Sequence, residues 1–184
     1  MIVSFQGKES FRISQGDLAL SVNPTNSRAA SDITLASTKE YAGEGKGFVI
    51  DGPGEYEVKG IGVKGFLSKA GERINTIYMV SFEGMNLCFL GPVTEAVLPA
   101  ETKEHLEDID ILFVPVDTLG PEPAYKLAIS LEPGVIIPMH YSTDSLKKFL
   151  KEAGEDKAEP LDKLVVKKKD LEGKEGDIMV LKEE

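Results

Sequence analysis

The first half of the chain alternates short β-type runs with turn residues, a pattern typical of a protein built mainly from strands. Asp51-Gly52-Pro53-Gly54 is the clearest predicted turn, because proline fixes one φ angle and the flanking glycines permit positive φ. Gln15-Gly16 and Glu83-Gly84 are predicted hairpin turns. The predicted strands of this half cover residues 11–14, 17–22, 32–36, 47–50, 55–63, 75–82 and 86–90.

The strand predicted after residue 54 changes its phase part-way along. Tyr56 and Val58 are apolar at even positions, whereas Ile61 and Val63 are apolar at odd positions. A strand with a period of two cannot keep one face buried across such a change unless an extra residue is inserted. The pattern therefore predicts a β-bulge near Lys59-Gly60.

The second half of the chain changes to longer apolar runs that alternate with helical spacing. Residues 109–114 and 135–137 are predominantly apolar, which predicts strands that are buried on both faces. Between them, apolar residues recur with the i, i+3, i+4, i+7 spacing of one helix face, and Pro133-Gly134 ends this predicted helix. The residues with that spacing are Ala124, Leu127, Ala128 and Leu131.

A second amphipathic helix is predicted to begin at a capping Thr143 or Asp144 and to end at Gly154. A weaker helix is predicted over residues 100–106. The two final predicted strands cover residues 163–168 and 177–181. Many short strands, with some strand–helix–strand order, predict a sandwich of mixed sheets with helices packed outside.

The composition excludes more chemistry than any single motif supplies. The chain has 184 residues and is predicted to form one domain over residues 1–184. A single cysteine, Cys88, rules out a disulfide framework and any cysteine-rich zinc or iron–sulfur site. Two histidines, His105 and His140, rule out every site that needs three or more imidazoles.

The formal net charge is −10, and an acidic surface repels phosphate backbones, so we expect no nucleic-acid partner. Residues 1–5 lack the basic and apolar regions of a signal peptide. The longest apolar stretch, residues 109–116, is too short to cross a bilayer. We therefore expect a cytoplasmic protein without a membrane partner. Edge strands could pair two copies, so a homo-oligomer stays open.

Several segments, taken in order over about 140 residues, are similar to one known family. Gly7-Lys8-Glu9-Ser10-Phe11 resembles that family's opening Gly-His-Ser-Cys-Phe hairpin. The remaining matching segments are residues 51–58, 75–78, 90–91, 110–116 and 132–141. Together they resemble the metallo-β-lactamase fold, and most closely its small bacterial Zn-dependent hydrolases of the ascorbate-phosphate-lactonase type. The resemblance implies a four-layer αββα sandwich of the α+β or α/β class.

The same resemblance implies a metal site, and we expect that site to be absent from this chain. Members hold one or two metals with several imidazoles and a bridging aspartate, and the metal lowers the pKa of a bound water. Their main motif is His-x-His-x-Asp-His, but the matching residues 38–43 contain no histidine. The positions that correspond to the family's site are Lys8, Thr38, Glu40, Phe89 and His140, of which only His140 is a family ligand.

Two interpretations of what remains stay open. His140 lies at the carboxyl end of a predicted buried strand. It is either a surviving metal ligand or acid–base group, or an imidazole that is hydrogen-bonded inside a collapsed pocket. Carboxylates near the same edge would suit Mg²⁺, Mn²⁺ or Ca²⁺ better than Zn²⁺. Those carboxylates belong to Glu40, Asp51, Glu55 and Asp117.

Three functions follow in order of preference. The first is a non-catalytic member of the fold that has lost its metal site and acts as a binding module or scaffold, without a cofactor. The second is a metal-dependent hydrolase of a small ester, lactone or phosphate, with zinc or another divalent metal in a site rebuilt around His140. The third is a nuclease-like role, which the net charge of −10 disfavours.

Overall fold

The computed structural model describes residues 1–25 and 30–184, and most of its strands are short. The strands are β1 (Ile2–Phe5), β2 (Phe11–Gln15), β3 (Leu18–Val22), β4 (Ile33–Leu35), β5 (Phe48–Ile50), β6 (Gly54–Val58), β7 (Ile61–Ala70), β8 (Arg73–Phe82), β9 (Met85–Phe89), β10 (Ile111–Pro115), β11 (Val135–Met139), β12 (Leu164–Val165) and β13 (Asp177–Ile178). The helices are α1 (Lys39–Ala42), α2 (Ala100–Glu104), α3 (Val116–Leu119), α4 (Pro121–Ser130) and α5 (Thr143–Glu152).

The strands form two sheets. The first has the order β12-β1-β2-β3-β4-β5, and the second has the order β13-β11-β10-β9-β8-β7-β6. Both mix parallel and antiparallel neighbours, because β3 to β5 and β9 to β11 are joined by crossovers rather than hairpins.

The main core lies between the two sheets. Alternate residues of each strand point inward, so that the inner faces interdigitate as in other sandwiches. Three aromatic rings span the layer at its centre. Phe89 stacks on Phe113 with ring centroids 4.2 Å apart, and Phe11 meets the same ring edge-on at 4.7 Å.

A second core lies on the outer face of the seven-stranded sheet, under the helices. Ala124, Leu127 and Ala128 of α4 are buried, as the helical spacing predicts. Phe149 and Leu150 of α5 are buried in the same layer. The predicted sandwich of mixed sheets with helices outside is therefore confirmed.

Two local predictions are wrong. Val58 pairs with Ile61, so Lys59-Gly60 is a two-residue hairpin turn and not a β-bulge. Both turn residues have positive φ, 53° and 80°, as the turns that suit a twisted hairpin require. The cap of α5 is also displaced by one residue, because Ser142 and not Thr143 or Asp144 caps this helix.

The C-terminal segment joins both sheets. β12 pairs antiparallel with β1 in the first sheet, and β13 pairs parallel with β11 in the second. Beyond β13, Glu184 donates its N–H to the carbonyl of Phe5 at 3.0 Å. None of the helices in the described part of the chain is long and apolar enough to cross a membrane.

Candidate functional site

The candidate site lies where β11 ends and the turn between β1 and β2 crosses it. His140 follows β11 and donates its backbone N–H to the carbonyl of Lys8 at 2.8 Å. The carbonyl of His140 accepts from the N–H of Asp117 at 2.8 Å. His140 and Lys8 both have positive φ, 46° and 52°, which is uncommon for residues with a side chain. Backbone hydrogen bonds therefore fix His140 against the turn between β1 and β2 on one side and the start of α3 on the other.

The centre of the site is the buried carboxylate of Glu9. One carboxylate oxygen is bonded to Nδ1 of His140, and the other accepts the hydroxyl of Tyr41 at 2.6 Å. Glu9 is only 2% exposed, whereas the side chain of His140 is 34% exposed. Tyr41 belongs to the short helix α1, which follows β4. Three segments that are distant in sequence thus meet at one carboxylate.

The electrostatics of these three groups are consistent with an ion pair. Burial raises the pKa of Glu9, but the hydrogen bonds from His140 and Tyr41 outweigh burial and hold this pKa below its ordinary value. The bond to Glu9 raises the pKa of His140, despite the opposing effect of burial. Burial and the bond to Glu9 also raise the pKa of Tyr41, so the phenol stays protonated.

This arrangement fixes what the imidazole can do. Because Nδ1 is bonded to Glu9, Nε2 is the nitrogen that remains for a ligand or for solvent. A raised pKa favours the imidazolium, in which Nε2 carries a proton and acts as a donor. In the neutral imidazole, Nδ1 carries the proton that Glu9 accepts, and Nε2 presents a lone pair to a hydrogen-bond donor or a metal ion.

Beside this network lies a cluster of buried polar atoms that have no hydrogen-bond partner among the described residues. Gly91 shows how closely some of them approach, because a Cβ added there would lie 2.4 Å from Asn75 Oδ1 and 2.9 Å from Ser37 Oγ. The N–H of Ser37 donates to Asn23 Oδ1 at 2.7 Å, so Asn23 belongs to the same cluster. The unpaired atoms are Ser10 Oγ, Asn23 Nδ2, Ser37 Oγ, Thr38 Oγ1 and Asn75 Oδ1.

The five residues predicted at the positions of the family's metal site have different surroundings in the structure. Lys8 and His140 are in backbone contact, and Thr38 is buried at the start of α1. The carboxylate of Glu40 is exposed and pairs with Arg73 of β8. Phe89 lies in the core between the sheets, stacked on an aromatic ring of β10.

The alternative set of carboxylates does not converge. Asp51 and Glu55 are exposed, and Glu55 pairs with Lys64 at 3.7 Å. Asp117 approaches His140 through its backbone. Across residues 1–25 and 30–184, no three His, Cys, Asp or Glu side chains gather as a group that could hold a metal ion.

Sequence reasoning missed Glu9 and Tyr41. Glu9 stands in the opening segment that was matched to the family, next to Lys8, yet it received no role. One signal could have found it, namely an acidic residue within a hairpin whose flanking strands are predominantly apolar. Tyr41 carried no comparable signal, because only the fold brings α1 to the turn between β1 and β2.

Comparison with known families decides the affiliation. The model of the β-lactamase superfamily domain matches residues 2–140, which is most of the chain. The chain belongs to the β-lactamase superfamily. No curated protein matches the sequence of this chain.

Solved structures of this superfamily share the fold. A Thermotoga maritima protein assigned to the Zn-dependent hydrolases of the metallo-β-lactamase superfamily is 28% identical, with a TM-score of 0.83 over 98% of this chain and 97% of that one. Igni18, a metallo hydrolase from Ignicoccus hospitalis, is 15% identical, with a TM-score of 0.65 over 90% and 99%. YhfI from Bacillus subtilis, a metallo-β-lactamase fold protein, is 10% identical, with a TM-score of 0.66 over 99% and 96%. The last two likenesses concern the fold alone.

Proposed function

We propose that this superfamily member is a metal-free binding module whose former metal site has become an internal polar network. The observation that carries the proposal is that residues 1–25 and 30–184 gather no group of three His, Cys, Asp or Glu side chains that could hold a metal ion. Of the positions that correspond to family ligands, only His140 has kept its imidazole, and one imidazole does not hold a zinc ion unaided. The bond between its Nδ1 and the buried carboxylate of Glu9 makes this imidazole part of the network.

The buried polar atoms beside the network support this proposal, because their chemistry does not fit zinc. Zinc in proteins is bound by thiolate sulfur, imidazole nitrogen and carboxylate oxygen. The unpaired atoms here are three hydroxyls and two side-chain amides. Asn23 presents Nδ2, a donor, because its Oδ1 already accepts from Ser37. A donor directed at a cation is repulsive.

Lys8 is a second argument against a cation at this position. It replaces the family's opening histidine, and its charge lowers the pKa of His140 by repulsion. A positive side chain beside the imidazole would oppose a divalent ion and favour an anion instead. Loss of a metal and gain of an anion-binding surface are therefore compatible.

A metal-dependent hydrolase of a small ester, lactone or phosphate is the second candidate. The 28% identity to a protein assigned to the Zn-dependent hydrolases favours it. Such a site would have to recruit His140 through Nε2, with Asp117, whose charge acts on His140, as a carboxylate ligand.

Elemental analysis of the purified protein separates the two candidates. We expect substoichiometric zinc, manganese and iron, and no rise in melting temperature when these ions are added. His140→Asn should leave this result unchanged, since asparagine tolerates the positive φ at position 140. His105→Asn is the matched control for adventitious binding, because His105 is the other imidazole and lies on the surface. Stoichiometric metal that is lost in His140→Asn but kept in His105→Asn would overturn the proposal.

A further inference from the structure

A groove of about 570 Å³ opens beside His140, and its volume is within the range of small-molecule sites, about 300–1,000 Å³. The turn between β1 and β2, the start of α5 and the C-terminal segment enclose it. Lys8 and His140 are on its wall, so the groove adjoins the network described above. The superfamily's metal-ligand positions other than these two do not line it.

Most of the groove wall is apolar. Tyr141 contributes aromatic surface and Leu146 of α5 contributes aliphatic surface, and both are half-buried. Pro160 adds an exposed apolar ring. Phe5, whose ring centroid is 6.0 Å from that of Tyr141, is only 4% exposed and packs behind this wall. Such a wall fits the flat or branched hydrocarbon body of a small ligand.

The groove is held open by hydrogen bonds between the segments that enclose it. The hydroxyl of Tyr141 donates to the carbonyl of Leu181 at 3.1 Å. The N–H of Glu184 donates to the carbonyl of Phe5 at 3.0 Å. A cavity fixed in this way in the free protein loses little conformational entropy when a ligand binds.

The charges of the groove select the polar end of its ligand. Lys8 is exposed and has no carboxylate within 4.0 Å in the described residues, whereas Lys182 is paired with Asp162 at 2.8 Å. An unpaired positive side chain on the wall of an otherwise apolar groove suits a carboxylate, which accepts charge-assisted hydrogen bonds.

Glu183 limits the charge of that ligand. It lines the same groove, and its carboxylate lies against Gly7, where an added Cβ would be 2.4 Å from Glu183 Oε1. A doubly charged phosphate would be repelled by this carboxylate more strongly than a single carboxylate would be. The groove thus favours one negative charge rather than two.

We infer that the groove binds a small organic monocarboxylate, with its carboxylate at Lys8 and its hydrocarbon body against Tyr141 and Leu146. This inference rests on the proposed binding function and assigns a ligand class to it. Neither the superfamily match nor the related structures assign a ligand to this groove.

The test is a titration of ¹⁵N-labelled protein with 3-phenylpropanoate at about pH 7.5, where a phosphate monoester carries two charges, followed by amide chemical shifts. We expect saturable shifts at residues that line the groove. The neutral isostere 3-phenylpropanamide should bind at least about tenfold more weakly, because it cannot make charge-assisted bonds. Phenyl phosphate should bind more weakly than 3-phenylpropanoate, since Glu183 opposes its second charge.

Variants at one lysine separate the groove from general electrostatics. Lys8→Gln should weaken binding of 3-phenylpropanoate about tenfold, and Lys8→Arg should restore most of it. Lys148→Gln is the matched control, because Lys148 is an exposed lysine of α5 that does not line the groove. It makes the same change in net charge and should leave binding unchanged. Melting curves of each variant establish that it is folded.

Three outcomes would overturn the inference: no saturable shifts with any probe, equal binding of the amide and the carboxylate, or no effect of Lys8→Gln. If the protein contains no metal, these outcomes contradict only the ligand class and leave the proposed metal-free binding module intact. Binding of 3-phenylpropanoate that disappears after treatment with EDTA would instead show that a metal carries the carboxylate. That result would overturn both the inferred ligand site and the proposed metal-free function.

Discussion

Glu9 is a carboxylate with almost no exposure to solvent, and its neighbours show how the fold accommodates it. A buried charge without partners costs several kcal/mol, so such a group persists only where it is paired and hydrogen-bonded. Both carboxylate oxygens of Glu9 have a partner, His140 on one side and Tyr41 on the other. Removing either partner leaves the carboxylate partly unsatisfied, which makes this network sensitive to single substitutions.

The Glu9–His140 pair gives the stability of the fold a defined dependence on pH. The pKa of Glu9 is lowered from 4.5, so its contribution is complete above pH 4.5 and is lost as pH falls through the lowered value. The pKa of His140 is raised from 6.5, so its contribution is complete below pH 6.5 and is lost as pH rises through the raised value. The pair therefore stabilises the fold most between pH 4.5 and 6.5.

We expect the free energy of unfolding of the wild type to exceed that of His140→Asn by the largest amount in this window. The difference should decrease as pH rises above the raised pKa of His140. Urea unfolding of both proteins across this range measures it. Asp117 raises the pKa of His140 and Lys8 lowers it, and both residues are present in wild type and variant. A difference that is independent of pH would contradict the ion pair.

Gly91 tests the close packing of the buried polar cluster. An alanine Cβ would lie 2.4 Å from Asn75 Oδ1, and φ at Gly91 is 64°, so crowding and backbone strain act together. We expect Gly91→Ala to lower the free energy of unfolding by about 2–4 kcal/mol. Gly84→Ala is the control, because φ is 73° there but nothing lies within 4 Å of an added Cβ. It should cost only about 1–2 kcal/mol, and equal losses would argue against crowding.

At the scale of elements, α5 shows how a local motif positions one wall of the groove. Ser142 Oγ accepts from the N–H of Ser145 at 3.2 Å, and Ser145 Oγ accepts from the N–H of Ser142 at 2.9 Å. This capping box satisfies two donors at the start of the helix. It also fixes the first turn, from which Leu146 reaches the groove.

We expect Ser142→Ala to destabilise the protein by about 1 kcal/mol, through loss of the cap. Thr143→Ala, one residue further on, should change the free energy of unfolding by less than about 0.5 kcal/mol, because Thr143 is exposed. Thermal or urea unfolding of the two variants provides the comparison. A larger loss of unfolding free energy in Thr143→Ala than in Ser142→Ala would indicate that Thr143 caps the helix.

At the scale of the whole molecule, residues 164–184 couple the two sheets. β12 extends the first sheet and β13 extends the second, so one short segment is shared between them. Leu164 is 6% exposed in the core, whereas Val165, the next residue, is 64% exposed on the outer face. The same strand thus has one structural and one solvent-facing residue.

These adjacent residues allow a matched test of that coupling. We expect Leu164→Ala to cost about 2–5 kcal/mol, as truncation of a buried leucine usually does. Val165→Ala should cost less than about 1 kcal/mol, because only its strand preference changes. Calorimetry of both variants measures the losses. Similar losses at the two positions would show that β12 is peripheral to the core.

The periodicity of the sequence predicted most of the strands and the helices α2, α4 and α5, but it missed β1, α1 and α3. It also predicted one strand over residues 55–63, where the structure has β6 and β7, and β7 continues to Ala70. The phase change between Val58 and Ile61 was visible, but its cause was not, since a bulge and a two-residue hairpin turn both shift the phase by one. Only the pairing partner distinguishes them. The cap of α5 was missed by one residue for a similar reason, because serine, threonine and aspartate all stand at that point and all can cap.

The sequence by itself determined the sandwich architecture and the scarcity of imidazole ligands, because apolar periodicity and residue counts are properties of the chain. Only the tertiary structure decided what surrounds His140. Glu9 is 131 residues away from it along the chain, and no local pattern connects the two. Packing of α1 and of the turn between β1 and β2 against the end of β11 brings Glu9, Tyr41 and His140 together. Contacts of this range depend on how sheets pack, which periodicity does not encode.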